Sequence, residues 1–425
     1  MYDTIIIGAG MSGLAAGIRT AYFDQRVCIL ERHTTIGGLN SFYRLGGRDY
    51  DVGLHAVTNF TSKGYKRGPL ALLLRQLRLR WEDFALAPQI GSSVVFPGVE
   101  MEFSNDIELL KSEIAQSFPA EVDNFERLLA QLIDYDDLEE KDYQVSSRQV
   151  LNETFDDPLL IEMLLCPVMW YGNACEDDMD FAQFCIMFRS IFLEGFARPF
   201  AGVRLILRQL VRKFRSLGGE LKLRSGVASI RVENGRAVGV VLDNGEEIQG
   251  RKILSSAGMV ETLRLCDDIS QLDESPAGQL SFTETISILD QQPQQLGHNK
   301  TIVFYNDSAV FDWSKPQDRL VDLRTGVICS PNNFVYSKAD GELADGVIRV
   351  TSLASFDRWD QLDTEDYQQE KRKWYDQVTE VAAGYLPISD FRSHVIDTDM
   401  FTPTTIRRFT WHDNGAVYGA VNKQL

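Results

Sequence analysis

The chain has 425 residues, of which 43 are Lys or Arg and 61 are Asp or Glu, so its formal net charge is −18. This acidic balance argues against general binding of nucleic acid, because the polyanion would be repelled. No run approaches the roughly 20 apolar residues of a membrane-spanning helix, and Met1 leads into the first strand without the basic and apolar regions of a signal peptide.

The cysteines and histidines are scattered along the chain. The six cysteines form no C-x-x-C pair, which indicates free thiols in a reducing cytoplasm rather than a disulfide framework. The five histidines are equally dispersed, so no metal site is predicted. Since domains average roughly 150 residues, the length suggests two or three domain-sized units.

The segment from Thr4 to Glu31 predicts a strand, a tight turn, a helix and a second strand in succession. Its three consecutive isoleucines are typical of a strand that is buried on both faces. Gly8, Gly10 and Gly13 follow in the order G-x-G-x-x-G, which permits a tight turn, a close approach to pyrophosphate and close helix packing. Glu31 ends the second strand, where its carboxylate would accept hydrogen bonds from an adenosine ribose. The stretch predicts a Rossmann-type dinucleotide-binding unit.

A second glycine pair, Gly37 and Gly38, follows in the sequence ERHTTIGG. It would let another loop close over the dinucleotide, which favours a flavin over a nicotinamide cofactor; an ordinary glycine turn is the alternative. The next segment, SFYRLGGRDYDVGLH, predicts a hairpin with strands over residues 41–45 and 50–54. His55 is expected at the end of the second strand.

The order E-R-x-x-x-x-G-G, hairpin and YDVGLH resembles the flavoprotein superfamily that contains phytoene desaturases, carotenoid isomerases and retinol saturases. This resemblance implies an α/β fold, with a Rossmann-type FAD-binding domain of the two-dinucleotide-binding-domain flavoprotein type and an interleaved α+β substrate domain. It also implies FAD as the cofactor and places the segment after the glycine pair beside the isoalloxazine. His55 would then lie near the flavin, where it could orient the ring or a substrate; a structural histidine is the alternative to this catalytic role.

A basic segment follows, because the chain has no acidic residue between Val52 and Trp81 and has six basic ones: Lys63, Lys66, Arg67, Arg75, Arg78 and Arg80. Its leucines recur at helical spacing beside arginines, which predicts contact with a membrane surface through residues 63–81, at the inner face of the membrane. The alternative is a basic-faced helix that packs on the FAD-binding domain and keeps its arginines in solvent.

Residues 86–200 are expected to form the first part of the substrate domain. SSVVF and VEMEF predict strands on either side of a Pro97–Gly98 turn. The helices that follow concentrate large, adaptable side chains that would suit an apolar tunnel: Met163, Met169, Trp170, Phe181, Phe184, Met187, Phe188 and Phe192. A hydrophobic core is the alternative for this cluster.

A second informative block begins with the sequence ARPFAGVRLILRQ. It predicts an amphipathic helix from Val203 to Leu217 and three short strands after it. The family has the same order here, and the resemblance matches Val227 to the position whose backbone contacts the adenine. Ser256, Ala257 and Gly258 resemble the family's second close approach to the cofactor, where small side chains are required.

The resemblance covers nearly the whole chain and implies these cofactor-binding residues: Gly8, Gly10, Met11, Ser12, Gly13, Glu31, Arg32, Gly37, Gly38, Leu39, His55, Val227, Ala257 and Gly258. The FAD-binding domain is predicted to comprise residues 1–85 and 201–270, and the substrate domain residues 86–200 and 271–395. Residues 396–425 would return to the FAD-binding domain. Related chains continue into a strand, a Gly-Asp or similar pair and a Gly-rich helix start. We therefore interpret this sequence as truncated, or else as an incomplete homologue that binds the cofactor weakly.

These features predict an FAD-dependent oxidoreductase that acts on carbon–carbon bonds of a long apolar isoprenoid by desaturation, saturation or isomerisation. In such a reaction the flavin supplies the redox chemistry and the protein positions the substrate. An amine oxidase-like flavoenzyme is one alternative, since the dinucleotide-binding unit is shared. A non-catalytic flavin-binding or lipid-binding homologue is another. A plain nicotinamide dehydrogenase would not explain the Gly37–Gly38 pair.

Overall fold

The computed structural model describes residues 1–135, 145–267 and 277–421. In chain order its strands are β1 (Tyr2–Ile7), β2 (Val27–Leu30), β3 (Phe42–Leu45), β4 (Arg48–Asp51), β5 (Leu86–Pro88), β6 (Ser92–Phe96), β7 (Val99–Phe103), β8 (Ala197–Pro199), β9 (Glu220–Lys222), β10 (Val227–Glu233), β11 (Arg236–Leu242), β12 (Glu247–Ser255), β13 (Ser281–Leu289), β14 (Ile302–Asn306), β15 (Thr325–Cys329), β16 (Gly346–Ala354) and β17 (Val395–Phe401). Its α-helices are α1 (Met11–Ala21), α2 (Pro69–Leu77), α3 (Ile107–Ser117), α4 (Val122–Asp134), α5 (Ser147–Thr154), α6 (Pro158–Gly172), α7 (Phe181–Phe188), α8 (Val203–Ser216), α9 (Met259–Arg264), α10 (Phe356–Asp360), α11 (Thr364–Ala383) and α12 (Pro403–Thr410).

The first sheet has the strand order β10-β11-β12-β1-β2-β9. Strands β12, β1, β2 and β9 are parallel, whereas β10, β11 and β12 form an antiparallel meander. Ile6 faces a core that it shares with α1, α2 and α8, and Ile5 faces a second core beneath the meander. Burial on both faces explains the unbroken isoleucine run and confirms the predicted Rossmann-type unit.

The second sheet has the order β17-β13-β16-β15-β14-β6-β7, and its neighbouring strands are antiparallel except for the parallel pair β14 and β6. Side chains along β14 alternate between two cores. Ile302 and Phe304 pack with helices α3 to α7, and Val303 and Tyr305 pack with α10 and α11. Helices therefore cover both faces of a largely antiparallel sheet, as the predicted α+β part requires.

The two sheets draw on alternating parts of the chain, which confirms the interleaved fold class. The first takes strands from residues 2–30 and 220–255, and the second takes strands from residues 92–103 and 281–401. The domain boundaries remain predictions, and the one between residues 270 and 271 lies outside the described residues.

Two local predictions differ from the structure in length. Helix α8 ends at Ser216, one residue before the predicted end. The hairpin forms as β3 and β4 around Gly46 and Gly47, but its second strand ends at Asp51 rather than at Leu54. His55 therefore lies beyond the strand. The physical reason is that Asp51 pairs with a distant arginine, described below, and the chain leaves the hairpin there.

The large side chains considered for a tunnel lie in one hydrophobic core instead. Met163, Met169, Trp170, Phe181 and four neighbours pack together against the second sheet, and all but the half-buried Met187 are buried. Aromatic pairs such as Phe188–Phe192, with ring centres 4.7 Å apart, hold this core together. The structure therefore favours the core interpretation of this cluster over the tunnel.

Candidate functional site

The glycine-rich turn lies at the carboxyl edge of three parallel strands. Gly8 follows β1, Glu31 follows β2 and Ser256 follows β12. Ligands of open α/β sheets bind at this edge. The Ser256 hydroxyl donates hydrogen bonds to the carbonyl oxygens of Ile7 (3.0 Å) and Gly8 (3.3 Å), which fixes the turn against β12.

Glycine occupies the three positions of this turn for different structural reasons. Gly8 has a φ of 94°, a left-handed conformation that favours glycine. A Cβ on Gly13 would overlap the carbonyl oxygen of Gly8, so only glycine lets α1 pack this closely on the turn. Gly10 has an ordinary extended backbone, and a Cβ there would meet none of the described atoms within 4 Å. The space beside Gly10 is therefore open to a ligand.

The second glycine pair closes on the first. The N–H of Gly37 donates to the carbonyl oxygen of Ala9 (3.0 Å), and Gly37 forms a β-bridge with Gly10. Gly37 and Gly38 have φ values of 112° and 57°, and Leu39 follows in a short 3-10 turn. The two glycine motifs thus form one structure, which we call the glycine cradle (residues 8–13 and 37–39).

Helix α1 begins at this cradle. Met11 is its first residue and is half-buried, and Ser12 is exposed beside it. The first turn of α1 contains no acidic residue. Its free backbone N–H groups and the positive end of the helix dipole therefore suit a phosphate group.

Glu31 is buried and stabilises the cradle. Its two carboxylate oxygens accept hydrogen bonds from the N–H groups of Ala9 (2.8 Å) and His33 (2.9 Å). Each oxygen keeps a second lone-pair direction. Glu31 can therefore accept a ribose hydroxyl while it holds the turn that precedes α1.

Arg32 and Val227 meet although 195 residues separate them. The Arg32 guanidinium donates to the Val227 carbonyl oxygen at 3.0 Å and lies 3.4 Å from an oxygen of Asp243. It also lies over the ring of Trp411, 4.0 Å from the ring centre, in a cation–π contact. Trp411 is exposed and follows α12, and no feature of the sequence pointed to it.

The remaining predicted cofactor residues lie after β12. Ala257 is half-buried next to Ser256, and Gly258 has a φ of 104° where α9 begins. A Cβ on Gly258 would overlap the Glu261 carboxylate. The left-handed backbone at Gly258 therefore favours glycine at this end of the parallel strands.

The segment after β4 carries His55 past the cradle. A Cβ on Gly53 would overlap the carbonyl oxygen of Leu39, and the N–H of Val52 donates to the carbonyl oxygen of Ser41 (2.9 Å). His55 is therefore only two residues beyond a direct contact with the second glycine loop. This places it at the boundary between the glycine cradle and the second sheet.

At that boundary His55 meets a buried ion pair. Its Nε2 lies 3.0 Å from Glu284 Oε2 and 3.2 Å from Thr351 Oγ1, and the Thr351 hydroxyl donates to the same Glu284 oxygen at 3.0 Å. Arg349 pairs with the other oxygen of Glu284. Glu284 on β13 and Thr351 on β16 are direct cross-strand partners, so this side-chain group is built by the sheet.

The charges of this group reinforce one another. Burial alone would lower the pKa of His55, but the negative charge of Glu284 and the neighbouring Cys329 raise the pKa to about 9. Burial alone would raise the pKa of Glu284, whereas Arg349 and then His55 lower that pKa to about 2. His55 is therefore a cation and Glu284 an anion at neutral pH.

A second buried pair holds the same segment. Arg198 on β8 pairs with Asp51 at the end of β4. The Arg198 guanidinium also donates to the carbonyl oxygens of Leu54 (2.7 Å) and His55 (3.3 Å), and that of Arg349 donates to Leu54 (3.4 Å). Two buried guanidinium groups thus fix the backbone that presents His55. The side chains of the two buried pairs, together with His55 and Thr351, form what we call the junction cluster: Asp51, His55, Arg198, Glu284, Arg349 and Thr351.

Apart from His55, no member of the junction cluster was predicted from the sequence. A signal was nevertheless present in the two central strands. Glu284 stands alone as a charge in SFTETISIL, and Arg349 stands alone as a charge in GVIRVTSLA. A single charge within a strand that is otherwise buried requires a partner of opposite charge, and these two residues are each other's partner.

The geometry of the glycine cradle suits the diphosphate of a dinucleotide. Space is open at Gly10, helix α1 offers its N-terminus, and Glu31 retains acceptor capacity toward a ribose. The residues that would hold the cofactor's adenosine and diphosphate therefore lie together. The junction cluster lies where the chain continues beyond the second glycine pair, on the side of the second sheet.

Comparison with known proteins agrees with this geometry. A family model described as flavin containing amine oxidoreductase matches residues 11–372. The chain is 23% identical over 460 aligned positions to a chloroplastic prolycopene isomerase of Daucus carota, covering 98% of this chain and 72% of that protein. It is 22% identical to a 4,4'-diaponeurosporene oxygenase of Staphylococcus aureus, covering 98% and 88%.

Solved structures share the fold at low identity. An oxidoreductase of Methanosarcina mazei has a TM-score of 0.64 at 16% identity, over 94% of this chain and 87% of that one. Putrescine oxidase has a TM-score of 0.62 at 15% identity, over 99% and 88%. Since the family match spans most of the 425 residues, the chain belongs to the flavin-containing amine oxidoreductase family and is an FAD-dependent oxidoreductase.

Proposed function

We propose that the enzyme acts on carbon–carbon bonds of a long apolar isoprenoid, by desaturation, saturation or isomerisation. The observation that carries this proposal is the charge of the junction cluster. Arg198, Arg349 and protonated His55 supply three positive charges there, whereas Asp51 and Glu284 supply only two negative charges. The buried excess of one positive charge would repel a protonated amine, whereas a neutral hydrocarbon would not be affected.

The surroundings of the cluster also suit a polyene. Phe282 precedes Glu284 by two residues on β13 and therefore lies on the same face of the sheet. Its ring lies 5.4 Å from that of Trp170 and 5.3 Å from that of Tyr418. Two similar proteins, named prolycopene isomerase and 4,4'-diaponeurosporene oxygenase, have polyenes in their names. Both points support an apolar substrate.

FAD, when bound, supplies the redox chemistry of such a reaction. We assign its binding to the residues of the glycine cradle and to those that surround it: Gly8, Gly10, Met11, Ser12, Gly13, Glu31, Arg32, Gly37, Gly38, Leu39, Val227, Ala257 and Gly258. His55 is assigned a place beside the flavin ring, where it orients the ring or the substrate.

The substrate class is tested by anaerobic incubation of the FAD-loaded protein with long-chain polyenes and, separately, with primary amines and polyamines. We expect a polyene to bleach the flavin absorption or to leave as a product with a changed number or geometry of double bonds. Isomerisation needs no net bleaching and is detected by product chromatography. Saturation consumes two electrons, so it is tested with the flavin reduced beforehand by dithionite, where we expect the polyene to restore the absorption of oxidised flavin. Bleaching by an amine alone would replace this proposal by an amine oxidase activity, and a chain that never holds flavin would favour a non-catalytic homologue.

We further propose that helix α2 brings the enzyme to the inner face of an anionic membrane, where an apolar isoprenoid is dissolved, and that the enzyme is cytoplasmic. Leu72 and Leu73 are exposed on α2, and Tyr65 is exposed just before it. The exposed cations Lys66 and Arg67 lie in the same segment. Apolar side chains beside cations suit the boundary between head groups and acyl chains. In the described ranges, no helix is both long and apolar enough to cross a bilayer.

Not every cation of residues 63–81 is available for this contact. Lys63 pairs with Glu82 at 3.0 Å, and Arg80 pairs with Asp83 at 2.6 Å. Arg78 lies over the ring of Tyr22, 4.3 Å from its centre. The exposed leucines and Arg75 are therefore the best residues to change.

We expect co-sedimentation with vesicles of anionic phospholipid to fall at least several-fold when Leu72 and Leu73 become Gln and Arg75 becomes Gln. The loss follows from removing apolar area, at about 25 cal/mol per Å², and about 1 kcal/mol for one basic residue at the surface. Arg80→Gln combined with Asp83→Asn is the matched control, because removing the whole ion pair leaves the local charge unchanged. Equal sedimentation of the triple variant and the wild type would refute the membrane contact.

A further inference from the structure

The junction cluster connects the segment beside the glycine cradle to the second sheet through one histidine. His55 comes from the segment that passes the second glycine loop, while Glu284 and Arg349 come from β13 and β16. The side chains of His55, Glu284 and Arg349 are only 12%, 4% and 3% exposed, respectively. A buried charge pair of this kind costs desolvation energy on both partners, and a core position would be filled more cheaply by an apolar side chain.

We propose that Glu284 and Arg349 are positioning residues for His55, which hold its imidazole in one orientation and as a fixed positive charge beside the flavin. The functional meaning of this assignment rests on the proposed location of His55, but the contacts themselves do not. Glu284 accepts from the ring, Thr351 bridges the same oxygen, and Arg349 neutralises the remaining oxygen. Each partner therefore has one role in fixing the ring.

The alternative roles of Glu284 are excluded by its contacts. A carboxylate that acts as a general base needs a free oxygen and a pKa near the working pH. Here one oxygen is taken by Arg349 and the other by His55 and Thr351, and Arg349 and His55 hold the pKa of Glu284 down. Glu284 therefore acts through His55 rather than on a substrate.

The groups that face the His55 ring account for its charge. Glu284 lies on β13, Thr351 on β16 and Cys329 on β15. Arg349, on the same face, points to the far oxygen of Glu284 and so leaves the near oxygen to His55. Loss of the Glu284 charge alone would leave the ring in a buried site with a neighbouring guanidinium, where a neutral imidazole is favoured.

The experiment follows the histidine ring carbons by NMR as pH is varied. The chain has five histidines, so the His55→Gln spectrum identifies the His55 signal. In the wild type we expect His55 to stay protonated to about pH 8 or above, and in Glu284→Gln its midpoint should fall by about one pH unit or more. Glu284→Asp, which keeps the charge, should restore much of the wild-type midpoint.

A matched control is available on the same part of the molecule. His394 lies 3.0 Å from Asp290 in a more exposed site, so Asp290→Asn removes a carboxylate beside a different histidine and should leave the His55 midpoint unchanged. A wild-type His55 midpoint at or below the ordinary value of about 6.5 would overturn the proposal without any variant. An unchanged midpoint in a folded Glu284→Gln protein would overturn it as well.

The same titration separates this proposal from the proposed function. It is recorded on the protein without FAD and again on the FAD-loaded protein, whose visible flavin spectrum is followed in parallel. In Glu284→Gln we expect a flavin spectral transition that tracks the His55 titration, because the ring would lose its charge beside the cofactor. A shifted His55 midpoint with no flavin transition would overturn the placement beside flavin, and absence of bound flavin would count against the proposed function alone.

Discussion

Replacement of Gly10 by Val should give a protein that folds normally and binds FAD much more weakly. The backbone at Gly10 has φ −67° and ψ 173°, a conformation that any residue adopts without strain, and a Cβ there meets none of the described atoms within 4 Å. The added side chain therefore fills only the space assigned to the cofactor. Overpacking of a close contact costs about 1–3 kcal/mol, which weakens binding about 5- to 150-fold.

Gly13→Ala is the matched contrast within the same motif. Its Cβ would overlap the carbonyl oxygen of Gly8, so the turn or α1 must move and the thermal unfolding temperature should fall together with the flavin content. The measurement is the ratio of bound flavin to protein, with the melting curve of each variant. Wild-type flavin content in Gly10→Val would show that the cofactor is held elsewhere.

This contrast also marks what the sequence could predict. The strands and the helix of the unit from β1 to β2 follow one another within residues 2–31, so their order and the three glycines could be predicted from spacing, whereas most of the other cofactor-binding residues were implied by the family resemblance. The antiparallel hairpin at Gly46 and Gly47 and helix α8 are local as well. Their ends were predicted within a few residues.

The parts that could not be predicted depend on contacts between distant segments. Glu284 meets His55 across 229 positions of sequence, and Arg198 meets Asp51 across 147. Neither pairing has a periodic or spacing signature, because both depend on how the second sheet docks against the hairpin. The end of β4 was placed three residues too late for the same reason, since Asp51 terminates the strand through its partner.

The aromatic helices illustrate a different limit. A cluster such as Phe184, Phe188 and Phe192 has the same sequence signature whether it lines a tunnel or fills a core. Only the burial of its members decides between the two, and they are fully or almost fully buried. Substrate chemistry is therefore better argued from the charges and aromatic neighbours of the junction cluster than from the composition of these helices.

The largest loss of stability is expected for Asp51→Ala. Asp51 and Arg198 form an ion pair whose side chains are 4% and 8% exposed, and Asp51 also accepts from the N–H of Val203 at the start of α8 (3.2 Å). Its removal leaves the Arg198 charge buried without its carboxylate, which typically costs about 3–5 kcal/mol. We expect the free energy of unfolding, measured with denaturant, to fall by that amount.

Asp49 on the same strand provides the control for this measurement. It pairs with Arg204 but is 43% exposed, so Asp49→Ala should cost less than about 1 kcal/mol. Combining Asp51→Ala with Arg198→Met removes both buried charges, and the double variant should regain part of the stability, since apolar replacement of a whole buried pair is often neutral. A double variant less stable than Asp51→Ala would show that Arg198 stabilises the segment mainly through its bonds to the carbonyl oxygens of Leu54 and His55, rather than through the ion pair.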